Sequence, residues 1–184
     1  ALPAQQWISR SFSKRLVHKW RSETDALLVG TRTARIDDPQ LTNRLYFGDT
    51  PLRVVLDRRL QLPPTLSLFQ GEAPTLLISA RRPERPLSGV EYLQLDFDDR
   101  MIEQLLHALF RRRIGTLLVE GGRALLESFL EAGLWDEARV LTGEMVIPDG
   151  IPAPEINFAP AQTAAVGAGD QLEVYYNDDF GKPH

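Results

Sequence analysis

Glu120-Gly121-Gly122 brings an acid and two glycines to the end of an apolar run, the make-up of a ligand-binding turn. The surrounding residues, Leu117-Leu-Val-Glu-Gly-Gly-Arg-Ala-Leu-Leu-Glu-Ser-Phe129, predict a buried strand from Thr116 to Val119 and a helix opening at Arg123. Leu125, Leu126, Phe129 and Leu130 fall on one face of that helix. Glycines let the main chain approach a ligand, and the free N–H groups and dipole of a helix N-terminus favour a phosphate. Glu120 would stand at the strand's carboxyl end, where open α/β sheets place their ligands. The same residues also suit a plain strand-to-helix turn with an incidental carboxylate, and on pattern alone both readings stand.

A second polar constellation follows the strand Ala26 to Val29. Beyond Gly30 a polar loop carries Thr31, Thr33, Asp37, Asp38 and Arg44, again at a strand's carboxyl end. Turn chemistry accounts for Asp38-Pro39 without any function. Arg21 also suits the C-terminal end of a helix, where a cation meets the dipole.

Composition sets the outer bounds. The chain of 184 residues is long enough for one domain with a substantial core. Its 43% hydrophobic and 25% charged residues are those of a soluble globular protein. A net charge of −4 argues against non-specific nucleic-acid binding, and Arg111-Arg112-Arg113 reads as a helix end. No cysteine is present, which removes disulfides, thiolate metal sites and cysteine nucleophiles and fits a reducing, cytoplasmic setting. His18, His107 and His184 share no ligand spacing, so no metal site is expected. No apolar run approaches the roughly 20 residues of a membrane span.

The elements alternate along the chain. A helix is expected over Ser9 to Arg21, with Leu16, Val17 and Trp20 as its apolar face. Strands are expected at Ala26 to Val29, Leu52 to Leu56, Thr75 to Ser79 and Glu91 to Leu95. A helix follows from Asp98 to Arg112, capped by Asp98 or Asp99 and closed near Gly115. The helix Arg123 to Ala132 ends at Gly133, and late strands are expected over Glu137 to Val146 and Gln171 to Tyr176, joined by a long loop. This order predicts an α/β sandwich with a mostly parallel central sheet, helices on both faces and an antiparallel carboxyl-terminal pair.

Several segments occur together in register: Arg21, Asp25-Ala-Leu-Leu-Val-Gly-Thr31, Asp37-Asp-Pro-Gln-Leu-Thr-Asn-Arg44, Pro51-Leu-Arg-Val-Val-Leu-Asp57, Leu118-Val-Glu-Gly-Gly122, Leu134-Trp-Asp-Glu137 and Gly169-Asp-Gln-Leu-Glu-Val-Tyr-Tyr176. Together they resemble the reductase domain of bacterial riboflavin biosynthesis deaminase/reductases, over nearly the whole chain. That resemblance implies a dihydrofolate-reductase-like fold and a single reductase domain over residues 1–184. It implies NADPH-dependent reduction of 5-amino-6-(5-phosphoribosylamino)uracil, with ring opening to an imine and hydride delivery to ribose C1′.

The resemblance also assigns residues. Arg21 and Arg44 would clamp the substrate phosphate, and Gln5, the backbone near Leu41 and Glu120 would contact the substrate. Trp7, Thr33 and the turn Gly122, Arg123, Ala124, Leu125, Leu126, Glu127, Ser128 would bind NADPH. Asp37 would touch both cofactor and sugar and stand nearest the chemistry, as a general acid or as an orienting group. Arg58 stands where many relatives carry a small hydroxyl residue. An arginine there can reach a 2′-phosphate and suits a solvated surface equally well.

Two departures from the family pattern bear on these expectations. Relatives begin this domain with a strand carrying a lysine and a Ser-Leu-Asp-Gly-like turn, whereas this sequence opens Ala1-Leu-Pro-Ala-Gln-Gln. The zinc deaminase signature is also missing from it. The expectation is therefore a piece of a longer protein. A strand missing from the sheet centre would leave its two neighbours unpaired. Two other readings are open: a pterin reductase of the same fold, or a non-catalytic ligand-binding module. The paired arginines favour a phosphorylated sugar over a pterin, and a homodimer fits the apolar late strands.

Overall fold

The computed structural model describes residues 11–145, 150–167 and 169–177. Five strands form a parallel sheet: β1 (Ala26–Gly30), β2 (Leu52–Leu56), β3 (Thr75–Ser79), β4 (Val90–Gln94) and β5 (Leu117–Val119). Their order is β4-β3-β2-β1-β5. A second sheet, order β6-β8-β7, holds β6 (Glu137–Thr142), β7 (Gln162–Val166) and β8 (Asp170–Tyr176), all antiparallel. The helices are α1 (Ser11–Ser22), α2 (Thr31–Asp37), α3 (Met101–Arg111) and α4 (Arg123–Glu131).

Side-chain alternation along the strands builds two cores. Ala26 and Leu28 of β1 face α3 and α4, where they meet Leu105, Leu109, Leu125 and Phe129 together with Val54 and Ile78. Leu27 and Val29 face the opposite side, where they pack with Ala34 of α2, Leu41, Val55, Leu68 and Leu77. Strands buried on both faces read as continuous apolar runs, which is why Ala26-Leu-Leu-Val29 was legible. Asp25 fixes the start of β5 beside β1: its Oδ2 accepts the Gly115 and Thr116 N–H groups at 2.8 and 2.9 Å. Those bonds hold its carboxyl below the ordinary aspartate value.

Four expectations need correction. The loop from Gly30 to Arg44 contains the helix α2, which presents only Ala34 to the core and so carries no apolar stripe. The long carboxyl-terminal connection contains β7, an edge strand whose Gln, Thr and Ala residues are exposed and whose Val166 is buried. With β7 the late strands make their own sheet, apart from the parallel one among the described residues. On α1 the buried residues are Ser13 and His18, while Leu16, Val17 and Trp20 are only partly covered. Ser13 is buried because its hydroxyl donates to the Asp170 carboxylate of β8. Trp20 lies under the Arg139 guanidinium of β6, 4.8 Å from the ring centre.

Smaller shifts occur at helix ends. The left-handed residue after α3 is Arg113 (φ 63°), not Gly115, which instead sits against Asp25. Asp98 does shape the start of α3, through its carbonyl to Met101 and its carboxylate to Arg100. Gly133 (φ 65°) follows α4 as expected. Among the described residues no helix is long and apolar enough to cross a membrane.

Candidate active site

β1 and β5 are parallel neighbours, yet the chain leaves them toward opposite faces. After β1 it enters α2, which packs on one side of the sheet; after β5 it enters α4, which packs on the other. In open α/β sheets such a divergence marks the crevice that receives ligands, at the carboxyl ends of the two strands. Gly30 closes β1 there, and Glu120, Gly121 and Gly122 follow β5.

Both glycines have little space beside them, and Gly122 also has a positive φ. A Cβ on Gly122 would lie 3.0 Å from Thr33 Oγ1, and Gly122 has φ +79°. A Cβ on Gly121 would lie 3.1 Å from Thr33 Cγ2. Thr33 and the glycine turn are therefore packed against each other. Gly122 leaves α4 without a side-chain cap; the Leu125 N–H donates to the Gly122 carbonyl at 3.0 Å, which leaves the amides of the exposed Arg123 and Ala124 for a ligand. This bare helix start, cradled by glycines, fits a pyrophosphate.

A charged cluster lies beside the crevice. Arg21 forms a bidentate pair with Glu120, Nε to Oε1 at 2.7 Å and Nη2 to Oε2 at 2.5 Å, with side chains only 13% and 18% exposed. Its Nη1 also donates to the Thr42 carbonyl at 3.2 Å. One turn earlier on α1, His18 Nδ1 accepts the Arg44 N–H at 3.0 Å. Thus α1 grips the Thr42–Arg44 main chain at two points. Arg44 is exposed, and its Nη1 donates to Gln40 Oε1.

His18 must be neutral to accept that bond. Burial lowers its pKa from the ordinary 6.5, and the Arg21 and Arg44 charges lower it further, opposed by Asn43 and Glu120. A folded value below the unfolded one means that, as pH falls through 6.5, the unfolded chain takes up a proton the folded chain refuses. Stability is then lost with falling pH, from the unfolded value down to the folded one. The melting temperature should therefore drop more between about pH 7.5 and about pH 5.5 in the wild type than in His18→Gln, whose amide accepts but does not titrate. Equal slopes would contradict this role for His18.

The two adjacent aspartates do different things. Asp38 is left-handed (φ 38°), a conformation that aspartate tolerates in turns, but its carboxylate makes a long-range tie, accepting the Ser67 N–H at 2.7 Å and hydroxyl at 3.1 Å. Asp37 ends α2, is exposed, and its carboxylate makes no hydrogen bond or ion pair among the described residues. Leu41 is buried with φ 53°, a strained conformation for a non-glycine residue that its neighbours must enforce.

The remaining expected residues are scattered around this centre. Arg58 follows β2 at the same end of the sheet, its guanidinium 5.8 Å from the Phe97 ring centre. In the turn after β5, Leu125 points into the core, Arg123 pairs with Glu127, and the Ser128 hydroxyl donates to the Ala124 carbonyl. What that turn offers a ligand is main chain. Gln5 and Trp7 lie outside the described residues. No motif marks His18 as a site residue, although it lies on the same face of α1 as Arg21.

Residues 3–150 match the family model described as the RibD C-terminal domain. The chain is 34% identical over 158 residues to the riboflavin biosynthesis protein RibD of Chlamydia pneumoniae, covering 78% of this chain and 42% of that protein. It is 35% identical over 148 residues to the 2,5-diamino-6-ribosylamino-4(3H)-pyrimidinone 5′-phosphate reductase of Methanothermobacter thermautotrophicus, covering 76% of this chain and 68% of that protein. A deaminase/5-amino-6-(5-phosphoribosylamino)uracil reductase of Thermotoga maritima superposes with a TM-score of 0.77 at 26% identity, over 92% of this chain and 49% of that one. The chain thus spans less than half the length of these RibD proteins (42% and 49%).

Proposed function

Since the chain belongs to the RibD C-terminal domain family, we propose that it reduces 5-amino-6-(5-phosphoribosylamino)uracil to its ribitylamino product with NADPH. The observation that carries this reading is the Arg21–Glu120 pair at the mouth of the β1/β5 crevice, beside the loop that presents Arg44. A carboxylate held by an arginine offers its remaining lone pairs to the N–H and amino donors of a pyrimidine. Arg44 offers the more available guanidinium for the sugar phosphate, because Arg21 is engaged with both Glu120 and Thr42. A pterin has no phosphate for such a cation to meet.

NADPH, when bound, supplies the hydride. This chain's residues do the rest: the glycine turn and the start of α4 receive the pyrophosphate, and Thr33 walls the same cleft. Arg58 has the charge for a 2′-phosphate, and its seat on Phe97 leaves it at the right end of the sheet. Asp37 holds or donates the proton needed for sugar-ring opening.

Gly122→Ala tests the cofactor half of the reading. It adds a Cβ at 3.0 Å from Thr33 Oγ1 in a residue whose φ of +79° and ψ of 125° suit glycine, which costs roughly 1–3 kcal/mol in backbone strain alone. NADPH should bind about 10-fold or more weakly, read by calorimetry. Thr33→Ala in the same chain relieves the contact but not the strain, so recovery is partial. Unchanged affinity in Gly122→Ala would place the cofactor elsewhere. The function itself is tested by NADPH consumption with the phosphoribosylaminouracil. A product two mass units heavier supports it. No consumption by folded, NADPH-binding protein rejects it.

A further inference from the structure

Arg53 of β2 is the largest fully buried side chain, at 0% exposure, and it has no carboxylate partner among the described residues. Its Nη2 donates to the Ala73 carbonyl at 2.6 Å and to Thr75 Oγ1 at 2.7 Å, and its Nε is buried without a partner. An arginine buried on neutral oxygens is costly, and an apolar side chain would fill the interior of a parallel sheet at less expense. Burial lowers its pKa, against a weaker opposing influence from Glu72.

What the guanidinium does that an apolar side chain cannot is reach the loop above it. Arg53 Nη1 donates to the Gln40 carbonyl at 3.1 Å. Gln40 precedes Leu41, the left-handed residue at φ 53°, and its own side chain accepts from Arg44 Nη1. A hydrogen-bonded path therefore runs from the sheet interior through Gln40 to an exposed guanidinium beside the crevice. The contacts of His18 and Arg21 grip the same loop from α1, so Arg53 supplies the opposing hold from the sheet.

We infer that Arg53 is a positioning residue for Arg44, acting through Gln40 to fix the guanidinium where an anionic group of the substrate is received. The inference rests on the proposed reading that Arg44 meets the sugar phosphate. The loop carries strain that its neighbours must enforce, and a planar guanidinium with fixed donor directions does so better than a flexible ammonium.

Two variants and two readouts test it. In Arg53→Met, amide hydrogen exchange at residues 41–44 should quicken at least ~10-fold while the amides of α4 keep their protection. Gln40→Ala lies near the surface and keeps its main-chain carbonyl, so it leaves the loop's exchange unchanged but frees the Arg44 side chain. Both variants should raise KM for the phosphoribosylaminouracil about 10-fold with kcat within ~2-fold, since uniform binding is what is lost. Arg53→Lys should recover only part of the loss. Unchanged exchange at 41–44 in Arg53→Met, or an unchanged KM in Gln40→Ala, would overturn the inference. A wild-type protein that turns over no such substrate would instead overturn the proposed function. The exchange measurement needs no turnover and decides the anchoring separately.

Discussion

Asp37→Asn should lower kcat by about 10²–10⁴-fold while leaving NADPH affinity nearly unchanged. Asp37 ends α2, exposed and with no hydrogen bond or ion pair to its carboxylate among the described residues, so its removal disturbs no visible contact. A carboxylate at the negative end of a helix is disfavoured by roughly 0.3–1 kcal/mol. The amide should therefore keep or slightly raise the melting temperature while activity collapses, which separates chemistry from folding. Asp38→Asn is the internal control. It weakens the bonds to the Ser67 N–H and hydroxyl, which should cost about 1 kcal/mol of stability. It should leave kcat within a few-fold. If Asp37→Asn changed only KM, proton transfer by Asp37 would be excluded.

Glu120→Ala should strike stability and activity together. The pair it breaks is mostly shielded, with side chains 13% and 18% exposed, and Arg21 would be left without its carboxylate. Fully buried pairs lose roughly 3–5 kcal/mol on such a break; partial exposure brings the expectation to about 2 kcal/mol. kcat/KM should fall about 10²–10³-fold, because the pyrimidine loses its acceptor and Arg21 its orientation. The double variant Arg21→Met/Glu120→Leu distinguishes the two effects. Removing both charges together should return most of the stability and none of the activity. A double variant that stayed active would show that the pair only holds α1 against β5.

How much of this was legible in the sequence depended on how local the cause was. β1, β2 and β3 were readable because strands buried on both faces are mostly apolar, Arg53 of β2 and the end residues Thr75 and Ser79 of β3 being the polar exceptions. The strand-to-helix turn at the glycines was readable from the apolar run and the helix pattern on either side, whereas its close packing against Thr33 is visible only in the fold. α2 was hidden because one alanine is all it gives the core. β7 was hidden because an exposed edge strand needs no apolar pattern.

The site's wiring was not readable at all. Arg21 and Glu120 are 99 positions apart, and no spacing rule pairs them. Arg53 sits in Pro51-Leu-Arg-Val-Val-Leu-Asp57, where a charged residue in a strand run suggests a solvent-facing position, yet it is wholly buried. Histidine spacing speaks only to metal binding, whereas His18 serves here to accept one main-chain N–H. Motif reading finds residues that touch ligands; the groups that hold those residues become visible only with the fold.

The most direct test of the account follows the hydride. NADPH carrying deuterium at both C4 positions would be turned over with 5-amino-6-(5-phosphoribosylamino)uracil and the product examined by NMR. One deuterium at C1′ of the ribityl chain is the predicted result. Deuterium in the pyrimidine ring, or a product carrying none, would contradict reduction at the sugar carbon and with it the assignment of this site.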